Sequence, residues 1–233
     1  VYYNLMFASR PFYENIKTVF TIHNIEYQGR YGRDTLEDLF GLDGRYFHEG
    51  LLAYYGDVNL MKGGIYAADF VTTVSPTYAE ELQYDFYAHG LAGVLANNRH
   101  KLRGILNGID TENYNPETDP NIVANYNAEN WKKGKAECKK ALQEQMGLAV
   151  RDDVPVIGIV SRLVGHKGLD LIREVMEKSL WERDVQYVVL GSGEWQYESF
   201  FRELHDKYPD KVGVTIGFIP DLARKIYAGA DLF

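Results

Sequence analysis

Arg162 and Lys167 fall in the short segment Ser161-Arg162-Leu163-Val164-Gly165-His166-Lys167-Gly168, between the apolar run Val154 to Val160 and a helical pattern. Two cations in one loop at a helix entrance make an anion cradle. Arginine can grip a phosphate through paired hydrogen bonds, lysine adds a compact charge, and a helix N-terminus offers N–H groups and its positive dipole end. An isolated Arg and Lys would more often be solvated loop charges, but these two stand together in a chain of net charge -8. The loop is no P-loop, because no Gly-Lys-Ser/Thr follows a glycine at the required distance. Gly191-Ser192-Gly193-Glu194 is half of a dinucleotide fingerprint, with Gln196 where the third glycine belongs. A G-x-G alone fits a tight strand-to-helix turn at least as well as a phosphate contact.

His23 follows the run Thr18 to Ile22 and opens a polar cluster with Asn24, Glu26, Tyr27 and Gln28. Such groups read sugar hydroxyls, although a histidine at a strand exit can equally be a core residue bonded to backbone. Phe218, beyond the run Val212 to Ile216, could stack on a base or pack.

These residues need elements to hold them. Thr18–Ile22, Asp69–Val74, Arg103–Leu106, Val154–Val160, Val185–Leu190 and Val212–Ile216 are short, apolar, β-branched runs that read as buried strands. Ser75-Pro76 is a helix start, with serine as cap and proline in the first turn. Helices are expected beyond it, from Trp131 with Cys138, Ala141, Leu142 and Met146 inward and Gly147 as the stop, around Ile172, Val175, Met176 and Leu180, around Tyr197 to Tyr208, and near Leu222 to Tyr227. The Pro, Asn and Asp-rich stretch from Asp110 to Asn130 reads as a linker. Strands apolar on both faces and alternating with helices imply an α/β fold of doubly wound parallel sheets, with ligands beyond the carboxyl ends of the strands.

With 233 residues, 45% hydrophobic and 25% charged, the chain can build a core or two. Its negative charge argues against nucleic-acid or anionic-membrane partners. Cys138 is the single cysteine, so no intrachain disulfide or cysteine-based zinc site is expected, and a cytoplasmic location fits. No uncharged apolar stretch approaches the roughly 20 residues of a membrane span. Both ends look cut, Val1 lying close to the first strand and Asp231-Leu232-Phe233 starting another, so an internal fragment is expected.

The segments Val19-Phe20-Thr21-Ile22-His23-Asn24-Ile25-Glu26-Tyr27-Gln28-Gly29, Thr73-Val74-Ser75-Pro76-Thr77-Tyr78, Gly104-Ile105-Leu106-Asn107-Gly108-Ile109-Asp110 and Ser161-Arg162-Leu163 to Lys167-Gly168, with Asn115-Pro116-Glu117-Thr118-Asp119 and Ile226 to Asp231, closely resemble bacterial glycogen synthases and plant starch synthases in order and spacing. The resemblance implies a GT-B glycosyltransferase of two Rossmann-like domains with the active site between them. It also implies retaining transfer of glucose from ADP-glucose to the non-reducing end of an α-1,4-glucan, with no metal and no other cofactor. Residues 1–110 would be the last part of the N-terminal, acceptor-side domain, 111–150 a linker and bridging helix, and 151–233 the first part of the donor-side domain. By the same resemblance Arg162 and Lys167 hold the donor diphosphate, His23 faces the transferred glucose, Asn107 touches a sugar, Gly191 and Gly193 line the cleft, and Phe218 lies against the base. Many relatives carry glutamine at the place of His166 and tyrosine at that of Phe218. The Lys-x-Gly-Gly loop and the glutamate-containing segment of the family lie outside this chain, which is expected to lack half of each sheet and to be neither stable nor active alone. The alternatives are a UDP-glucose-using relative with another acceptor and a non-catalytic nucleotide-sugar-binding module. The contexts Tyr27-Gln28-Gly29 and Asn107 to Asp110 favour the glucan enzyme.

Overall fold

The computed structural model describes all 233 residues, which form two compact units, Val1–Ile109 and Asp110–Phe233. In chain order the first holds α1 (Tyr2–Met6), β1 (Val19–Ile22), β2 (Arg30–Tyr31), α2 (Thr35–Asp38), β3 (Ala53–Tyr54), β4 (Asp57–Asn59), α3 (Leu60–Ala67), β5 (Phe70–Thr73), α4 (Pro76–Glu81), α5 (Asp85–Ala88), α6 (Ala92–Asn97) and β6 (Leu102–Gly104). β1, β5 and β6 make a parallel sheet in the order β1-β5-β6, with Ile22 opposite Thr73 and Thr73 opposite Gly104. All three strands therefore end on one edge. Ile22, Ile65, Val71, Leu82, Leu91 and Leu95 fill its core. A second, antiparallel sheet, β2-β4-β3, packs Leu36, Leu52 and Val58 in a core of its own.

In this unit two features differ from the expectation. The third strand ends at Gly104 instead of Leu106, and Ile105 and Leu106 are 60% and 72% exposed. The start of α4 passes over Gly104 so closely that a Cβ there would lie 2.1 Å from the Ser75 carbonyl oxygen, and only Ile105 N–H, donating to Thr73, extends the pairing. The antiparallel sheet and α3 carry no readable period, since the strands are two or three residues long and α3 contains Gly63 and Gly64. Those glycines let α3 lie against Leu52 and the Phe20 ring, and the Asn59 side chain caps it by accepting from Lys62 N–H at 2.9 Å.

The second unit holds α7 (Trp131–Gln145), β7 (Val156–Val160), α8 (Leu169–Glu182), β8 (Gln186–Gly191), α9 (Trp195–Lys207), β9 (Val212–Ile216) and α10 (Pro220–Gly229). Its sheet runs β7-β8-β9, all parallel, and a parallel bridge joins Ile157 to Leu232 on the other side of β7. The chain thus winds outward from β7 and returns past it, the order of a doubly wound sheet. Central β8 is buried at every position, Tyr187 and Val189 facing α8 and α9 while Val188 and Leu190 face α7 and α10. Val175 departs from its expected inward place: α8 turns Leu169, Met176 and Leu180 to the core and leaves Val175 59% exposed on the flank.

The stretch read as a linker is folded onto this unit. Asp119, 5% exposed, accepts from Asn121 N–H at 2.9 Å and pairs with Arg224 of α10 at 3.3 Å. Ile122 packs with Cys138 and Ala228, and Tyr126 donates to the Ala228 carbonyl. α7 lies along α10, where Gly229 allows the backbones to meet: a Cβ there would stand 2.7 Å from the Cys138 carbonyl oxygen. No helix is long and apolar enough to cross a membrane.

Candidate functional site

In the second unit the loops after β7, β8 and β9 leave one sheet edge together, and they carry Arg162, Gly191 with Gly193, and Phe218 in that order. Val160, Ser161, Arg162, Leu190, Gly191, Ser192, Gly217, Phe218 and the first turn of α10 with Ala223 enclose a mostly apolar pocket of about 240 Å³. Phe218 stands at its mouth, 90% exposed. Lys167 and Gly193 lie outside this lining.

The loop carrying the two cations is held by backbone. Ser161 N–H donates to Leu190 at 3.1 Å, Leu163 N–H to Ser192 at 2.9 Å, and Glu194 N–H to Leu163 at 2.8 Å, so the strand exits of β7 and β8 stay laced beyond the sheet. This contact explains the glycines. Neither Gly191 nor Gly193 has a positive φ, but a Cβ on Gly191 would fall 2.0 Å from the Ser161 carbonyl oxygen, and one on Gly193 2.3 Å from that of Leu163. Close backbone approach demands glycine at both places, rather than the turn geometry suggested by the sequence.

Gly165, His166 and Lys167 then form a single 3₁₀ turn, closed by Gly168 at φ 72°, from which α8 departs. His166 and Lys167 are exposed on this turn and Arg162 is exposed ahead of it, with an Arg162 guanidinium nitrogen 3.5 Å from His166 Nε2. Glu194 and Glu198, which carry no distinguishing signal in the sequence, position the loops: Glu194 Oε1 accepts from Gly165 N–H at 3.2 Å and Glu198 Oε1 from Gly193 N–H at 2.9 Å. Their carboxylates are spent on backbone donors beside the cations. Gln196 steadies Glu194, donating to Oε2 at 2.7 Å.

In the first unit His23 and Asn107 also sit at the carboxyl edge of a parallel sheet, beyond the ends of β1 and β6 with β5 between them. Strands pair about 4.8 Å apart, so the two exits are roughly 10 Å apart. Both side chains are exposed. The polar cluster after His23 divides in two. Asn24 Oδ1 accepts from Glu26 N–H at 2.9 Å, and the Tyr78 hydroxyl accepts from Ile25 N–H at 3.3 Å, which fixes the turn. Gln28 is buried, donates to the His89 carbonyl and accepts from Asn59 Nδ2 at 2.7 Å, so it is a strut between loops and not a hydroxyl reader.

Residues 1–97 match the starch synthase catalytic domain family. The chain is 50% identical over 227 residues to a glycogen synthase of Bacillus cereus, covering 97% of this chain and 47% of the relative. It is 52% identical over 222 residues to a glycogen synthase of Geobacillus stearothermophilus, with 95% and 45% covered. Among solved structures, the catalytic domain of starch synthase IV from Arabidopsis thaliana, bound to ADP and acarbose, superposes with a TM-score of 0.90 at 35% identity, over 99% of this chain and 48% of that one. The chain spans about half the length of the curated relatives it matches. That structural match extends the parallel-sheet architecture of both units to the GT-B fold. Along nearly its whole length the chain is thus similar to one half of the glycogen and starch synthases.

Proposed function

We propose that the gene product carrying this chain is a glycogen synthase that transfers glucose, with retention, from ADP-glucose to the non-reducing end of an α-1,4-glucan. The observation that supports this most is the convergence, on one sheet edge of the second unit, of an exposed cation turn and an apolar pocket with Arg162 in its wall. A nucleotide-sugar needs that pair of surfaces, apolar walls for the nucleoside and cations for the diphosphate. The ADP in the starch synthase IV structure is consistent with the same donor base here.

In this reading Arg162 and Lys167 hold the diphosphate, and Phe218 with Gly191 bounds the nucleoside. Cleavage of the glycosyl–phosphate bond leaves negative charge on the departing oxygen. Preorganised cations stabilise that charge more in the transition state than in the ground state, so they act on turnover as well as binding. Gly193 contributes by letting the β8 exit lie against Leu163, which sets the height of the cation loop. We assign His23 to the transferred glucose and Asn107 to a donor or acceptor sugar, since both present polar side chains at the carboxyl edge of their sheet.

The test is incorporation of glucose into glycogen by the complete gene product, from ADP-glucose and separately from UDP-glucose, beside Arg162→Ala and Lys167→Ala. The expected result is transfer from ADP-glucose, with kcat lowered about 10²–10³-fold in each variant. Transfer from UDP-glucose alone would overturn the donor assignment. No transfer from either donor by the folded protein, with ADP-glucose affinity lowered in the two variants, would point to a binding module.

A further inference from the structure

α10 helps to enclose a second pocket, formed wholly by residues of the second unit. Pro220 and Ala223 belong to the pocket at the strand exits, whereas Arg224 and Tyr227 line this one, with Tyr114, Asp119, Ile122 and Tyr126 from the stretch ahead of α7. The two pockets share no residue. The second has a volume of about 270 Å³, just under the roughly 300–1,000 Å³ of sites for drug-sized ligands, which suits a single small ring. Tyr114 and Tyr227 are exposed and meet edge to face with centroids 6.2 Å apart, and Tyr126 spends its hydroxyl on the Ala228 carbonyl. The walls are therefore aromatic and apolar.

Its two charged groups are only half used. Asp119 receives hydrogen bonds from Asn121 N–H at 2.9 Å, Asn121 Nδ2 at 2.8 Å and Arg224 Nη1 at 3.3 Å, and all three end on Oδ1. Oδ2 accepts none. On Arg224, Nη1 is spent on Asp119, Nε is enclosed without a partner, and Nη2 bonds to nothing and, like Asp119 Oδ2, stays open to solvent. The guanidinium is held over the Tyr114 ring, 5.4 Å from its centroid. Burial pushes the Asp119 carboxyl up, but the bonds from Asn121 and Arg224 outweigh it and hold the group below its ordinary value, so it is ionised at neutral pH.

Arginine can only donate and an ionised carboxylate can only accept, so a ligand that meets both must itself accept and donate. An anion would be set against Asp119, and a cation against Arg224. Hydroxyls suit both. Water bridges such atoms too, but it leaves the tyrosine walls facing solvent, whereas a sugar ring brings neighbouring hydroxyls at its rim and C–H faces that pack on aromatic rings. We propose that this pocket binds a glucosyl unit of an α-glucan, its hydroxyls accepting from Arg224 Nη2 and donating to Asp119 Oδ2 while the ring packs on Tyr114 and Tyr227. It is a holding site for the polymer, apart from the pocket assigned to the nucleotide. The choice of a glucosyl unit among hydroxylated ligands rests on the reading of the gene product as a glucan synthase.

The experiment is electrophoresis of the complete gene product through native gels of increasing glycogen content, without nucleotide-sugar, beside Tyr114→Ala and Arg224→Lys. Glycogen should retard the wild type, and the concentration that halves its mobility should rise about three- to tenfold in each variant, the loss expected for one aromatic contact or one charge-assisted hydrogen bond. Lysine keeps the charge beside Asp119 but not the planar fork that reaches Asp119 and a ligand together. Should Arg224→Lys disturb the packing, as circular dichroism and urea unfolding would show, Tyr114→Ala, changed at an exposed ring, decides alone. A wild type that glycogen does not retard, or a Tyr114→Ala variant retarded as strongly as wild type, overturns the proposal. Failure of the underlying reading looks different, because the complete gene product would then transfer glucose from neither ADP-glucose nor UDP-glucose, whatever the gels show.

Discussion

A Cβ on Gly191 would meet the carbonyl oxygen of Ser161 at 2.0 Å, and that oxygen belongs to backbone laced to β8, so it cannot swing aside as a flexible side chain would. Gly191→Ala should therefore cost about 1–3 kcal/mol through forced displacement of the loop. Phe218 is the opposite case. At 90% exposure it holds nothing together, and Phe218→Ala should leave the unfolding midpoint where it is while weakening ADP binding. Urea unfolding of both variants and ADP titration of the second check the pair. Equal stability of Gly191→Ala and wild type would contradict the close approach, and undiminished ADP affinity in Phe218→Ala would remove the ring from the nucleotide site. At this scale the sequence was legible as to position, Arg162 and Lys167 standing exposed in one loop at the β7 exit. It was ambiguous where the reason lies in a partner far along the chain. Nothing adjacent to Gly191 announces Ser161, and nothing adjacent to Gln28 announces Asn59 and His89.

Strands in the second unit were legible because each is a continuous apolar run covered on both faces, and Ser75 was legible as a cap because its Oγ accepts from Tyr78 N–H at 2.9 Å, three residues on. Elements set by long-range packing were not, α3 and the antiparallel sheet above all. The start of the β1–β5 pair shows how such a distant contact acts. Asp69 Oδ2 accepts from Thr18 N–H at 2.8 Å and from Thr18 Oγ1 at 2.9 Å, tying the two strands at their entry. The hydrogen bond from Thr18 N–H, then that from its hydroxyl, with Lys17 adding its charge, holds the Asp69 carboxyl below its ordinary value. A carboxyl depressed in the folded state binds protons more weakly there than in the unfolded chain. Its contribution to stability is complete above the unfolded value, about 3.9, and disappears as pH falls through the lower folded value. Asp69→Asn, which cannot ionise, should be less stable than wild type at about pH 7 and converge toward it at about pH 3. Urea midpoints at the two pH values measure this, and a constant difference between the proteins would show that Asp69 does not act through its charge.

At the scale of the whole chain, each unit closes a core from its own residues: Ile22, Ile65 and Leu95 in the first, Phe201, Leu163 and Val188 in the second. The fold class was legible from the alternation of runs, and the linker-like stretch begins where the second unit does, but its composition hid that residues 110–130 are folded onto that unit. Asparagine, aspartate and proline there build turns that pack on α7 and α10, Asp110 accepting from Asn113 N–H at 2.9 Å and Asp119 pairing with Arg224. The change of unit falls between Ile109 and Asp110, at the end of a partly apolar segment. From Ile105 to Ile109 the side chains are exposed, Leu106 at 72% and Ile109 at 84%, and the last ladder bond is that of Ile105 N–H to Thr73. Proteases cut where backbone is exposed and weakly bonded, so limited digestion by an enzyme that cleaves after large apolar residues should first open the chain after Leu106, leaving a new N-terminus at Asn107. Leu39 is as exposed, at 75%, but its N–H is bonded to Thr35 and the following turn closes from Gly41 to Glu37, so it should be cut later. N-terminal sequencing of the earliest products decides the order. First cleavage between Asp110 and Asn130 would mean that this stretch behaves as the slack connection its composition suggests, and the packing of Asp119, Ile122 and Tyr126 against α7 and α10 would have to be abandoned as the reason it is ordered.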